Sequence, residues 1–350
     1  MPSAASLPPA KQAPHVLVIR RRYLGDIVLL GPVFRNLRLH WPEVRIAAVV
    51  ESAYASLLGL NPDVNEILPL PRSWRQWPGF IARLRRARFT HVLDLDNNDR
   101  TALLTRLTGA PFRAALHHDK LRWGFCYTAD VLHPPAVHER VSIIDYYLAA
   151  LSAAAVPVAT REVRLVPRPA DLADAQKVVR PGGRKLLIHP GSRSPWRIWP
   201  AANFAAVCDR VQDELGAQVF LIGGPGEQSL VQEIGQLAQS HVVTINAPLS
   251  VPQFAAFAAQ FSVMLCHDSG PMHVAAAVGT PVVALLGSQN PVLFAPPGTG
   301  HAVLQPPLPC TTCVAPGRCV PGDSYHNYCV RNITVDAVFA ALRQRLSGVP

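Results

Sequence analysis

His15-Val-Leu-Val-Ile-Arg-Arg-Arg-Tyr-Leu-Gly-Asp26 decides the fold. Its first five residues form a short apolar run rich in β-branched side chains, which reads as a buried strand. Gly25-Asp26 breaks the run. From Ile27 to His40, Val28, Leu29, Val33, Phe34, Leu37 and Leu39 then recur close to helical spacing, and Trp41-Pro42 ends the helix. The alternation continues with a strand at 45–50, a helix at 53–60, a strand at 66–70, a helix at 80–87 and a strand at 91–95. Strands alternating with helices over short connections argue for an α/β fold with a doubly wound parallel sheet.

Residues 140–155 read as one long Ala/Leu helix. Pro157, Pro167 and Pro169 mark a linker, and the alternation restarts after Gly182-Gly183. Strands are expected at 186–188, 218–222, 242–245, 263–266 and 281–286. Helices are expected at 202–215, 227–239, 251–259 and 271–278. Residues 291–330 read as ordered loop, and 335–346 as a final amphipathic helix. Three regions follow: a first Rossmann-like domain at 15–165, a second at 180–334, and a C-terminal helix at 335–350 expected to pack back toward the first. Ligands of such sheets bind beyond the carboxyl ends of the strands, so two facing sheets would leave a cleft between the domains.

The chain has 350 residues, 49% hydrophobic and 16% charged, with a formal charge of +10. It is therefore globular, not disordered. Only Lys11, Lys120, Lys177 and Lys185 are lysines; the other cations are arginines, suited to bidentate phosphate or carboxylate contacts. Such a balance favours an anionic partner without choosing among nucleic acid, membrane and phosphorylated substrate. The arginines are dispersed, with no aromatic-interleaved basic stripe, which speaks against a nucleic-acid binder. The apolar run 273–286 is interrupted and shorter than the ~18 residues of a membrane span. Residues 1–14 lack the features of a signal peptide, so a cytoplasmic enzyme is expected, with loose contact to an anionic inner leaflet.

Four loops could carry chemistry. Asp26 follows the first strand, where a carboxylate could act as a general base or simply cap a helix. Arg20, Arg21 and Arg22 precede it. Asp268, Ser269, Gly270 and His273 lie where a strand gives way to a helix that has Pro271 in its first turn; such an end binds anions well. His267 flanks them. Ser192, Arg193 and Arg197 sit in a Gly/Ser loop suited to phosphate, with Trp196 and Trp199 to pack it down. Gly223-Gly-Pro-Gly-Glu227 allows close backbone approach to a ligand, with Gly224 and Glu227 near ribose hydroxyls. Its spacing is not the dinucleotide fingerprint. Three of the loops follow strands of one domain, where a single nucleotide could touch them together.

Taken in order, these motifs resemble glycosyltransferase family 9, the heptosyltransferases of lipopolysaccharide core synthesis. The resemblance rests on Arg21-Arg-Tyr-Leu-Gly-Asp26, Asn61-Pro-Asp-Val-Asn-Glu66, His189-Pro-Gly-Ser192 and Arg197-Ile-Trp-Pro-Ala-Ala-Asn-Phe204. It continues through Gly223-Gly-Pro-Gly-Glu227, Asp268-Ser-Gly-Pro-Met-His273 and Gly279-Thr-Pro281. It implies a GT-B fold and an inverting, metal-independent transfer from ADP-heptose to a lipopolysaccharide core; a family member acting on another surface glycan or on a protein is an alternative. Asp26 would then be the base. Ser192, Arg193, Arg197, Gly224, Glu227, Asp268, Ser269, Gly270 and His273 would hold the donor. Arg197 stands where the family commonly has lysine. No cofactor or catalytic metal is implied. An epimerase or hydrolase on the same fold is an alternative.

Cys310, Cys313, Cys319 and Cys329 could form a four-thiolate zinc or iron site, or remain thiols. Cys126, Cys208 and Cys266, in apolar surroundings, read as inert core thiols.

Overall fold

The computed structural model describes residues 13–134, 140–193, 197–287, 289–306 and 328–347. Contacts divide the chain into two units. One comprises Met1–Arg22, Leu30–His138 and Ile144–Arg161; the other comprises Tyr23–Leu29, Glu139–Ile143 and Glu162–Pro350. The segment that carries Asp26 thus belongs, by its contacts, to the second unit.

The first unit holds β1 (His15–Ile19), β2 (Arg45–Val50), β3 (Glu66–Pro69), β4 (His91–Asp94), β5 (Phe112–His117) and β6 (Ala129–Leu132). They form one sheet in the order β3-β2-β1-β4-β5-β6. All its pairings are parallel. Leu17, Ile19, Val49 and Val92 join Leu84, Phe89 and Leu104 in a core on one face.

The second unit holds β7 (Lys185–His189), β8 (Gln218–Ile222), β9 (Val242–Ile245), β10 (Val263–His267), β11 (Val282–Leu285) and β12 (Ala302–Leu304). Its order is β12-β11-β10-β7-β8-β9, again all parallel. Read from the other edge, this is the same winding as in the first unit. β7 and β10 are buried along their whole length, which is why they read as unbroken apolar runs.

Several elements differ from expectation. The helix read from Ile27 to His40 is two helices, Leu24–Leu29 and Gly31–His40, because Pro32 begins the second. The long helix at 140–155 is an α-helix over Ile143–Ala149 and a 3-10 stretch over Ala150–Ala154, closed by Ala155 with φ +54. Pro169, read as linker, opens the helix Pro169–Val178. β12 lies in the stretch read as loop. The helix Val335–Leu346, expected to pack back toward the first domain, buries Val338, Phe339, Leu342 and Leu346 in the core of the second sheet.

Candidate active site

β7 and β10 are neighbours, with His189 pairing beside Cys266. β8 lies on the far side of β7 and β11 on the far side of β10. The winding reverses between β7 and β10, and loops leaving an open sheet at such a point part to form a crevice. The loops after β7, β8 and β10 are the three that were expected to hold a nucleotide.

Gly191 packs directly on Glu227. A Cβ added to Gly191 would lie 1.9 Å from the Glu227 Cδ, so no other residue allows this approach without rearrangement. Glu227 Oε2 accepts from the Gly224 backbone N–H at 2.6 Å and stands 3.5 Å from His189 Nε2. Burial lowers the His189 pKa, and the Glu227 charge opposes that shift. Glu227 therefore ties the β8 loop to the β7 loop. Ser192 follows Gly191 on the same loop and is half-buried.

Trp199 fixes the next stretch. It is fully buried; its backbone N–H donates to His267 Nε2 at 2.8 Å and its indole N–H to the Ile333 carbonyl at 2.9 Å. The imidazole can accept only while that nitrogen is unprotonated. Burial pushes the His267 pKa down to about 3, with His189 adding to the effect, so the ring is neutral. Arg197, two residues earlier, is held by two partners. Its Nη1 lies 3.5 Å from Asp268 Oδ2. With the Gln289 amide oxygen turned toward it, that oxygen accepts from Nη1 at 3.0 Å and also from Nη2.

Asp268 is partly buried, and desolvation raises its carboxyl pKa to about 6; Arg197 pulls it down and Asp26 pushes it further up. Ser269 caps the helix Gly270–Ala277 by position, yet its side chain makes no capping hydrogen bond. Its Oγ is buried with no partner among the described residues. A buried hydroxyl at a helix N-terminus, beside a guanidinium, is suited to an anion.

The same helix packs on the segment Leu24–Leu29 through two bare backbones. A Cβ on Gly270 would come within 2.7 Å of Leu24 Cδ2, and one on Gly25 within 2.7 Å of His273 Cδ2. Burial drives the His273 pKa down to about 4; Asp26 opposes that shift and His301 adds to it. Asp26 lies in the first turn of its helix, where Oδ2 accepts from the Tyr23 backbone N–H at 3.1 Å. Asp26 therefore does not stand at the cap position itself but reaches back to the residue before the helix from within its first turn. The Arg193 guanidinium stacks 4.6 Å from the Tyr23 ring centroid.

The structure therefore gathers the expected residues into two linked groups. Asp26, Arg193, Arg197, Asp268, Ser269, Gly270 and His273 form one; Gly224 and Glu227 form the other, bridged by His189. Sequence reasoning missed Gln289, Tyr23, Leu24 and the bridging role of His189. Tyr23, Leu24 and His189 stood within the quoted motifs without a role attached, and Gln289 gave no signal. Trp196, Cys310, Cys313 and Cys319 lie outside the described residues. Cys329 is half-buried, with its Sγ near Gly287.

In the first unit a cavity of about 300 Å³ opens at the carboxyl ends of β1, β2 and β3. Arg21, Arg72, Arg100, Glu51 and Trp77 line it. Arg21 is paired with Asp96 at 2.9 Å, whereas Arg72 and Arg100 have no acidic partner among the described residues.

A family model described as glycosyltransferase family 9 (heptosyltransferase) matches residues 78–319. The chain is 25% identical over 291 residues to lipopolysaccharide heptosyltransferase 3 of Escherichia coli, covering 79% of this chain and 84% of that one. A family 9 glycosyl transferase from Veillonella parvula superposes with a TM-score of 0.83 at 22% identity, over 99% of each chain. The iron-containing dodecameric glycosyltransferase TibC of enterotoxigenic E. coli superposes with a TM-score of 0.57 at 15% identity, over 96% of this chain and 79% of that one. TibC has also been solved with ADP-D-β-D-heptose.

Proposed function

Because the chain belongs to glycosyltransferase family 9, we propose that it moves heptose from ADP-heptose to a lipopolysaccharide core acceptor, inverting the anomeric centre without a catalytic metal. One observation carries this reading: Arg197, the orphaned Ser269 Oγ and the N-terminus of Gly270–Ala277 converge beside Asp26, all within the second unit.

The chemistry follows from those positions. Asp26 takes the proton of the acceptor hydroxyl on its carboxylate. The acceptor oxygen attacks the anomeric carbon from the face opposite the diphosphate, and the bond from that carbon to the phosphate oxygen breaks. ADP leaves with the negative charge. The Arg197 guanidinium, the Ser269 hydroxyl and the helix N-terminus stabilise that charge, and such preorganised groups supply much of an enzyme's acceleration. A fixed cation here does the work that Mg²⁺ does elsewhere. Glu227, braced by Gly224 and His189, presents a carboxylate edge to the ribose.

Incubation with ADP-heptose and truncated lipopolysaccharide cores tests the reading. A heptose mass increment, unchanged by adding or withholding Mg²⁺, is expected. Asp26→Asn should abolish transfer, a loss of about 10²-fold or more, while ADP-heptose still binds. Transfer at the wild-type rate in that variant removes Asp26 from the base role. Release of ADP without any acceptor would instead indicate an epimerase or hydrolase. The cysteine cluster has its own test, because TibC is iron-containing. A tetrathiolate on Cys310, Cys313, Cys319 and Cys329 would appear as stoichiometric zinc or iron in protein purified without chelator.

A further inference from the structure

The connection from β5 to β6 contains His118-Asp-Lys-Leu-Arg-Trp-Gly-Phe-Cys126, and two of its largest apolar side chains face water. Phe125 is 75% exposed and Trp123 is 43% exposed. Their rings stack on each other, 5.9 Å between centroids and 20° between planes. Hydrophobic residues scattered singly on a surface are ordinary, but a stacked pair on one turn is not.

The turn is not loose chain. Asn97 clamps its start: its side-chain amide donates to the Lys120 carbonyl at 2.9 Å and its oxygen accepts from the Arg122 N–H at 3.0 Å. Its end is anchored by Cys126, which is fully buried, and by the Tyr127 hydroxyl, which donates to Asp94 at 2.7 Å. Leu121 packs beneath, against Cys126 and Tyr127. Between these anchors Trp123 is held at φ +48, a conformation that bulky side chains rarely adopt. A rigid frame therefore carries two exposed rings, one of them at a conformational cost.

Cations accompany the rings. Lys120 and Arg122 flank them in sequence, are exposed, and make no ion pair among the described residues. Arg106 is close by: burial raises the Cys126 thiol pKa, and the Arg106 charge opposes that shift. Asp119 is the one acid in the connection from His118 to Cys126. Stacked aromatic rings flanked by exposed cations complement a surface that is apolar below and anionic above, which is a leaflet of acidic phospholipid. The chain's charge of +10 has the matching sign.

We propose that the Trp123–Phe125 turn is a membrane-docking element, seating its stacked rings among acyl chains near the headgroups while Lys120, Arg122 and Arg106 meet lipid phosphates. This stands independently of the acceptor assigned above.

The test is cosedimentation of the full chain with phosphatidylcholine vesicles, with and without phosphatidylglycerol. Wild-type protein should pellet with the phosphatidylglycerol vesicles, and less so as salt is raised. Phe125→Ser and Trp123→Gly should each weaken that binding roughly tenfold, the loss expected for about 1.4 kcal/mol of apolar insertion. Lys120→Gln with Arg122→Gln should weaken it and remove most of its salt dependence. Trp123→Gly is the decisive variant, because glycine accepts the left-handed backbone. It should melt at or above the wild-type temperature and bind ADP normally while losing vesicle affinity. Three outcomes overturn the proposal. One is failure of the wild type to bind phosphatidylglycerol vesicles. Another is undiminished binding by both ring variants. The third is a shift from dimer to monomer on ring removal with vesicle binding intact, which would assign the turn to a second copy of the chain.

Discussion

Arg197 shows how a single residue's setting decides what it can do. Its charge is half spent on Asp268, whose carboxyl burial lifts to about 6. As pH falls from neutrality through about 6, Asp268 takes up a proton and Arg197 is left with its full charge for a donor phosphate. Affinity for ADP-heptose, measured by titration calorimetry, should therefore strengthen several-fold over that interval. Asp268→Asn should bind at the tighter level throughout, and retention of the wild-type pH profile in that variant would falsify the coupling. Arg197→Lys keeps a charge but gives up the fork that meets both Asp268 and Gln289. Gly191→Ala presses a methyl group into the Glu227 carboxylate, and overpacking of this kind costs about 1–3 kcal/mol. It should raise the donor KM far more than it lowers kcat. At this scale the sequence was informative wherever a motif has a chemical reason, as at Gly25, Asp26 and Ser269. It was silent on Gln289, because nothing in Ser288-Gln-Asn290 reveals that the chain will return to Arg197.

At the level of elements, legibility followed burial. β1, β2, β7, β8 and β10 are buried along most of their length and carry runs of Val, Ile and Leu, so their period is plain. β5, β6 and β12 escaped notice for a physical reason. β5 is Phe-Arg-Ala-Ala-Leu-His, with no β-branched residue, and β6 and β12 are half-exposed edge strands of three or four residues. The final helix was found, but its docking was not, because an amphipathic pattern shows that a face is buried and not what buries it. Here Trp199 is part of the answer. Its indole N–H reaches the Ile333 carbonyl, two residues before the helix begins. Trp199→Phe keeps most of the volume and leaves that buried carbonyl without its donor, a cost of about 1–3 kcal/mol. Amide exchange should quicken first in Val335–Leu346; uniform quickening across the second unit would argue against a local anchor.

The molecule as a whole stores an acid sensitivity in its buried imidazoles. Burial holds His267 at about 3 and His273 at about 4, against 6.5 for an unfolded histidine. Both are neutral in the fold and take up protons on unfolding. Their contribution to stability is therefore complete above 6.5 and is lost as pH falls below it, about 2 kcal/mol each by pH 5. Asp268 has the opposite sign, since its raised pKa destabilises the fold as pH rises from about 4 to about 6, and it returns about 1.5 kcal/mol over the same acidification. Asp94, buried and likewise lifted to about 6, returns a similar amount, so the net expectation from these groups is a loss of about 1 kcal/mol between pH 7 and pH 5, seen as a fall in the urea midpoint. His273→Gln should flatten or reverse that slope.

Chimeras make the last consequence visible. Tyr23–Leu29 is encoded among the first unit's residues, yet it is packed with the second, where Leu24 lies on Gly270 and Gly25 on the His273 ring. A hybrid joined at the interdomain linker would take its second unit from one parent and this heptapeptide from the other. If the foreign segment carried alanine at position 25, or a β-branched residue in place of Leu24, the fit would be lost although every residue of the second unit were native. Recombinants between distant relatives should thus regain activity only when residues 23–29 travel with the C-terminal half. The inheritable module of this enzyme is two pieces of sequence, not one.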